Sequence, residues 1–215
     1  LKIQILKCVK RVLKKGNLVV LESTSPVGTT QKISDWLVEF RSDLNFPTSK
    51  NNRSNEEIDI FIAHSPERVL PGRILVELAN NDRVIGGLSK KCGEKAIGFY
   101  NHFINGKCYL THASTAELVK LAENAFRDTN IAFANEMSLV CEKLNINVWD
   151  MIKLANLHPR VNILQPGPGV GGHCIAVDPW FIVDAAPELT KLIQTSRNVN
   201  DAKPDWVLNE TLKFV

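Results

Sequence analysis

No apolar run in the sequence approaches the ~20 residues that a membrane-spanning helix needs. Cys-x-x-Cys pairs are also missing: Cys8, Cys92, Cys108, Cys141 and Cys174 stand singly. An odd, dispersed set argues against a disulfide framework and a zinc site, and for reduced thiols in a cytosol. No metal is expected. Neither sign of charge dominates, since 26 Lys+Arg against 23 Asp+Glu leave a net charge of +3. That balance is too even to argue for nucleic acid or a membrane surface as partner. Internal repeats and low-complexity tracts are absent, and so is an initiator Met. The chain opens at Leu1 inside one amphipathic pattern and ends at Val215 inside another, so a piece of a larger protein is expected. What is present is ordinary for a soluble globular protein: 44% hydrophobic and 23% charged residues over 215 positions. A sizeable core is within reach at this size.

Apolar periodicity predicts a helix over 3–15 closed by Gly16-Asn17, and a buried strand at Leu18-Val19-Val20-Leu21. Glu22 to Thr29 reads as a strand-to-loop transition, followed by a helix over 30–40. The polar stretch from Ser42 to Glu57 is expected to be a mobile surface insertion. Strands are predicted at 58–63, 83–87 and 107–110, with a helix at 90–103. This alternation indicates an α/β fold with a parallel sheet up to about residue 112. From Thr115 to Leu144 the chain has no Gly or Pro. It reads as one helix of about thirty residues, well above the mean of ~11–12, and such a length suits a helix between domains or a dimer face. Further helices are expected at about 147–156, 179–185, 188–200 and 205–214.

Gly167-Pro168-Gly169-Val170-Gly171-Gly172 matches G-x-G-x-x-G literally. It is no dinucleotide fingerprint, because that motif needs a strand before it and a helix N-terminus at its end. Prolines at 159, 166 and 179 flank it instead. The run is better read as backbone that must approach a phosphate or sugar closely. It leads into Cys174, preceded by His173 and followed four residues later by Asp178, a setting that suits a reactive thiol. On the long helix Lys120, Asn124 and Arg127 share one face. Thr24 follows the first strand and Glu67-Arg68 the second, where open α/β sheets bind ligands.

Four segments together resemble the UDP-glucose/GDP-mannose dehydrogenase family. They are Glu-Ser-Thr-Ser-Pro-Val-Gly-Thr (22–29), Ser-Pro-Glu-Arg-Val (65–69), Ala-Glu-Leu-Val-Lys-Leu-Ala-Glu-Asn (116–124) and Gly-Gly-His-Cys-Ile-Ala-Val-Asp-Pro (171–179). Pro71 and Val177 depart from the Glu and Lys of the UDP-glucose branch. The chain lies nearer the branch that forms N-acetylmannosaminuronate.

The resemblance implies a truncated Rossmann-like sheet followed by an all-helical central domain. Residues 1–112 would be the latter part of an NAD-binding domain, 113–202 the central dimerisation and catalytic domain, and 203–215 the start of a UDP-binding domain. It implies NAD-dependent four-electron oxidation of a UDP-sugar C6 alcohol, for a surface-polysaccharide precursor, by a cytoplasmic homodimer joined through the long helix. Cys174 would be the nucleophile. Lys120 would be general acid/base or the cation stabilising an oxyanion, beside Asn124. Thr24 and Asp178 would hold the hydrolytic water, with Thr24 also near the cofactor, and Glu67 would assist proton transfer. Arg68, Val69, Arg127, His158, Arg160 and Gly171 would grip sugar and diphosphate, with His158 or Arg160 serving either the chain's own site or a neighbouring subunit's. The family's own G-x-G-x-x-G would precede this region, so the stretch alone is expected to bind NAD poorly.

Overall fold

The computed structural model describes residues 2–47, 58–69 and 72–213. Most of the predicted surface insertion, residues 48–57, lies outside them, as does Pro71. The chain divides into two compact units, Leu1–Lys120 and Leu121–Val215.

The first unit is a four-stranded sheet of β1 (Leu18–Leu21), β2 (Phe61–His64), β3 (Arg83–Gly87) and β4 (Cys108–His112), in the spatial order β1-β2-β3-β4. Helices α1 (Lys2–Val9) and α2 (Thr29–Phe40) cover one face. There Leu6, Ile33, Leu37, Ile60 and Ile62 form a buried cluster. Helix α4 (Lys90–Tyr100) belongs to a second cluster of Ala63, Ile85, Ala96, Tyr100 and Ile104. Apolar side chains thus alternate between two covered faces, as expected of a sheet in the middle of three layers.

The α/β class is as expected, but the sheet is mixed. β1 and β2 are parallel, β3 and β4 are parallel, and β2 and β3 are antiparallel. Strand–helix alternation in sequence does not encode direction. The link from β2 to β3 holds only the short helix α3 (Ile74–Asn80), which sequence reading left unassigned. The link ends near the carboxyl end of β2, where Arg83 Nη2 meets Glu67 Oε2 at 3.1 Å. β3 therefore starts at that end and runs back.

Helix α1 ends at Val9, not at 15. The Arg41 guanidinium takes the carbonyls of Lys10 and Leu13 at 2.6 and 3.1 Å, fixing that stretch as turns. Gly86 and Gly87 end β3 against their neighbours: a Cβ on Gly86 would lie 2.6 Å from Ala113 Cα, and one on Gly87 2.3 Å from the Ser89 carbonyl oxygen. Only glycine permits that approach.

Helix α5 (Ala113–Lys143) has 31 residues and supplies the end of the first unit and the start of the second. The second unit continues with α6 (Val148–Ala155), capped by Asn147, whose Oδ1 accepts the N–H groups of Trp149 and Asp150. A long irregular segment leads to α7 (Asp178–Ala185), and α8 (Lys191–Leu212) follows. The two helices expected at 188–200 and 205–214 are one, running through Pro204. Proline removes one ladder hydrogen bond. The turns around it are held from outside, by Asn200 bound to Asp128 and by Lys203 bound to Ser138.

Candidate active site

In the first unit the candidate residues sit at strand ends. Thr24 is half-buried in the loop between β1 and α2. That loop is braced internally: Ser25 Oγ donates to the Ser23 carbonyl at 2.8 Å, and Thr29 Oγ1 donates to the Pro26 carbonyl at 2.6 Å. Glu67 follows β2. Its Oε1 accepts the backbone N–H groups of Arg68 and Val69 at 2.7 and 3.2 Å, and its Oε2 pairs with Arg83. These contacts fix the carboxylate's orientation. Arg83, 5% exposed, also stacks 4.9 Å from the centre of the Tyr100 ring. The Tyr100 hydroxyl in turn donates to Glu22 at 2.5 Å. Burial and then the Glu22 bond push the Tyr100 phenol well above the ordinary range, so it stays protonated and serves as a donor. A cavity of about 490 Å³ is lined by Glu22, Glu67, Arg83 and Tyr100. Arg68 is exposed and reaches the Asp82 carbonyl at 3.4 Å. Val69 is half-buried.

In the second unit Asn124 Nδ2 donates to Asp178 Oδ2 at 2.5 Å. Asp178 opens α7 and is buried. Cys174 is exposed, in the turn that leads into this helix, and its carbonyl accepts the N–H groups of Val177 and Asp178 at 3.1 and 2.8 Å. The Cys174 backbone is thus tied to the first residue of α7, whose carboxylate Asn124 anchors. All five cysteines are free, and Cys141 is buried. His158 and Arg160 are exposed, with the Arg160 N–H directed at His158 Nδ1 at 3.4 Å. Arg127 and Gly171 are exposed, and nothing lies within 4 Å of where a Gly171 side chain would begin. Lys120, the last residue of the first unit, is half-buried one helical turn before Asn124. Among the described residues no group of His, Cys, Asp and Glu is arranged to hold a metal ion.

Sequence reading missed a set of buried polar residues. Glu117, 1% exposed, accepts from Gly28 and Thr30 in the first unit. In the second, Arg197 binds Asp128 at 2.6 Å. Asn200 also donates to Asp128, at 2.8 Å, and Asn135 donates to Asn200 at 2.8 Å. Asn135 Oδ1 then accepts the Gly167 N–H at 2.9 Å. One signal was available. Glu117, Asn124, Asp128 and Asn135 follow one another at helical spacing along α5, so they form a single polar stripe.

A dinucleotide pyrophosphate needs free N–H groups at a glycine turn that opens a helix. The turn into α2 has its N–H groups taken by Glu117. The 167–172 run lies in irregular backbone, with no strand before it and α7 starting only at Asp178. The described residues do not by themselves fit the pyrophosphate of NAD.

Residues 2–104 match the model of the UDP-glucose/GDP-mannose dehydrogenase family's NAD binding domain, and residues 114–202 match the family's central domain. The chain belongs to this family. An NDP-N-acetyl-D-galactosaminuronic acid dehydrogenase of Ralstonia nicotianae is 62% identical over 203 residues, covering 94% of this chain and 47% of that protein. A UDP-N-acetyl-D-mannosamine dehydrogenase of Campylobacter jejuni is 61% identical over 209 residues, covering 97% and 50%. The solved structure of a UDP-D-ManNAc dehydrogenase from Pyrococcus horikoshii superposes with a TM-score of 0.88 at 42% identity, covering 98% of this chain and 48% of that one. The chain thus spans about half the length of the curated relatives it matches. Among its described residues no helix is long and apolar enough to cross a membrane.

Proposed function

We propose that this chain carries the thiol and hydrolytic machinery of an NAD-dependent UDP-N-acetyl-D-mannosamine 6-dehydrogenase. The reading rests above all on the Asn124–Asp178 bond, which joins the Asn of the Lys-x-x-x-Asn motif to the Asp of the Cys-x-x-x-Asp turn within the second unit. The roles assigned to the other residues come from the family pattern. Residues 1–112 would act as part of the NAD-binding domain and 113–202 as the central domain. NAD+ bound by the whole enzyme would supply the hydride acceptor. The steps belonging to this chain are those on sulfur and water.

In the first of these, Cys174 Sγ adds to the C6 aldehyde carbon. The carbonyl π pair moves to oxygen, where Lys120 supplies a proton or balances the charge and Asn124 donates a hydrogen bond. The adduct is tetrahedral and keeps the aldehyde's own C–H beside an O–H, so that hydrogen can leave as hydride without release of the aldehyde. In the hydrolytic step a water held by Thr24 and Asp178 attacks the thioester carbon. Glu67 takes the water proton, the C–S bond breaks, and Cys174 leaves as thiolate. Arg68, Arg127 and Arg160 suit the diphosphate through their bidentate forks, with His158, Val69 and the Gly171 backbone completing the substrate grip. The acid would serve surface-polysaccharide synthesis in the cytoplasm.

The test uses the full-length enzyme that contains this chain. NADH formation is expected with UDP-N-acetylmannosamine in preference to UDP-glucose and UDP-N-acetylglucosamine. Cys174→Ala is expected to retain substrate binding and form no uronate. Preference for UDP-glucose, or uronate formed by the variant, overturns the reading. The Ralstonia relative, at 62% identity, favours a second reading in which the sugar is an N-acetylgalactosamine derivative. Including that nucleotide in the same assay decides between them.

A further inference from the structure

Glu117 lies in the first turns of α5 and is 1% exposed. Its carboxylate reaches across to the start of α2. Oε2 accepts the Gly28 N–H at 2.6 Å, and Oε1 accepts both the Thr30 N–H at 2.7 Å and the Thr30 hydroxyl at 2.6 Å. It has no ion-pair partner among the described residues. Its charge is met by the N-terminal end of the α2 dipole and three charge-assisted hydrogen bonds, the stronger kind. Gly28, at φ 87°, turns its N–H toward the carboxylate from a left-handed conformation that favours glycine. The loop thus held is the one that carries Thr24, and it is braced by its own bonds from Ser25 to Ser23 and from Thr29 to Pro26. The helix that holds it carries Lys120 one turn further on.

We propose that Glu117 is a positioning residue that sets the Thr24 loop against the Lys120 turn of α5, and so controls the water step. This rests on the roles proposed above for Thr24 and Lys120. A neutral amide at position 117 could not reproduce the arrangement. One of its two polar atoms is a donor, and it would face either the Gly28 N–H or the two Thr30 donors. Glu117→Gln therefore loosens one side of the clamp with little change in volume. Thr30→Val removes one of the three bonds and leaves the carboxylate in place.

The experiment compares these two variants with wild type in the full-length enzyme. Hydrogen exchange across residues 22–30 is expected to rise at least tenfold in Glu117→Gln. Turnover per folded protein should fall at least tenfold with KM within threefold, while intact mass during turnover shows an acyl adduct accumulating on Cys174. Thr30→Val should shift all three readouts the same way and less, and it carries the test if Glu117→Gln does not fold. Unchanged exchange overturns the proposal, as does turnover within twofold of wild type. Lost turnover without a Cys174 adduct shows a merely structural role and overturns it too. A wild type that oxidises no UDP-sugar counts against the proposed function alone, because exchange still reports on the clamp.

Discussion

Asn124 on α5 and Asp178 at the start of α7 are joined by a 2.5 Å hydrogen bond between residues 54 positions apart in sequence. The amide both orients the carboxylate and keeps it from leaving the turn that holds Cys174. Asn124→Ala in the full-length enzyme should lower kcat on the order of 10²-fold, the cost of losing one placed donor. Affinity for the sugar nucleotide, read by calorimetry, should stay within threefold. An equal loss of affinity and turnover would mean that Asn124 acts in substrate binding.

Asn135, further along α5, holds the middle of the irregular segment that leads to that turn. It is fully buried, accepting from Gly167 and donating to Asn200. Asn135→Ala leaves both groups without a partner. The expected loss is about 1–3 kcal/mol of stability by urea unfolding, with faster exchange of the Gly167 amide and faster alkylation of Cys174 by iodoacetamide. Unchanged exchange at Gly167 would show the bond to be dispensable.

Arg197 and Asp128 are both buried, and burial pushes the Asp128 carboxyl above its usual range although Asn200 and Arg197 oppose this. Removing the cation alone leaves that carboxylate uncompensated. Arg197→Met should cost roughly 3–5 kcal/mol, whereas Arg197→Met combined with Asp128→Leu should recover a large part of it. A double variant no better than the single one would show that the pair itself, and not the orphaned charge, sets the cost.

Asp59 supplies a pH dependence. It accepts the Asn45 N–H at 3.0 Å and pairs with Lys15 at 3.1 Å, and the backbone bond above all holds its carboxyl below the usual range. The unfolded chain then binds the proton more readily than the folded one, so stability from this group rises with pH. It should be fully present above about pH 4, the ordinary carboxylate value, and be lost as pH falls through the lowered folded value. The stability difference between wild type and Asp59→Ala, followed by denaturant unfolding from pH 7 downward, should shrink across that window. A difference that grows on acidification would refute the assignment.

Phe126 and Phe133 are 72% and 51% exposed, and Val140 follows at the same seven-residue spacing on α5. Such a stripe suits a partner helix, and we propose that it joins two copies of the full-length protein. Phe126→Asp with Phe133→Asp should convert a dimer to a monomer in light scattering. A wild type already monomeric at micromolar concentration would remove the proposal.

Much of this was legible in the residues themselves. Helical spacing without Gly or Pro marked α5 to within two residues at each end, and the run 18–21 marked β1. Both are local patterns. Strand direction was not legible, because β3 is turned by a pairing between Glu67 and Arg83, sixteen residues apart. Nor was the partner of Glu117, which lies 87 positions away at Thr30. At the candidate site the residue types at 24, 67, 120, 124, 174 and 178 carried a chemical pattern. The buried supports at 83, 117, 135 and 197 read as ordinary polar residues, since burial is decided by packing between distant segments.

Because β3 runs against β2, its first residue, and not its last, lies beside Glu67. Successive side chains of a strand point to opposite faces. A one-residue deletion between Gly72 and Asp82 that let β3 slip would replace Arg83 there with a neighbour, Asp82 or Val84. Glu67 would then face a second carboxylate or an isopropyl group in place of its guanidinium. The length of this connecting segment thus acts as a setting for the site's charge.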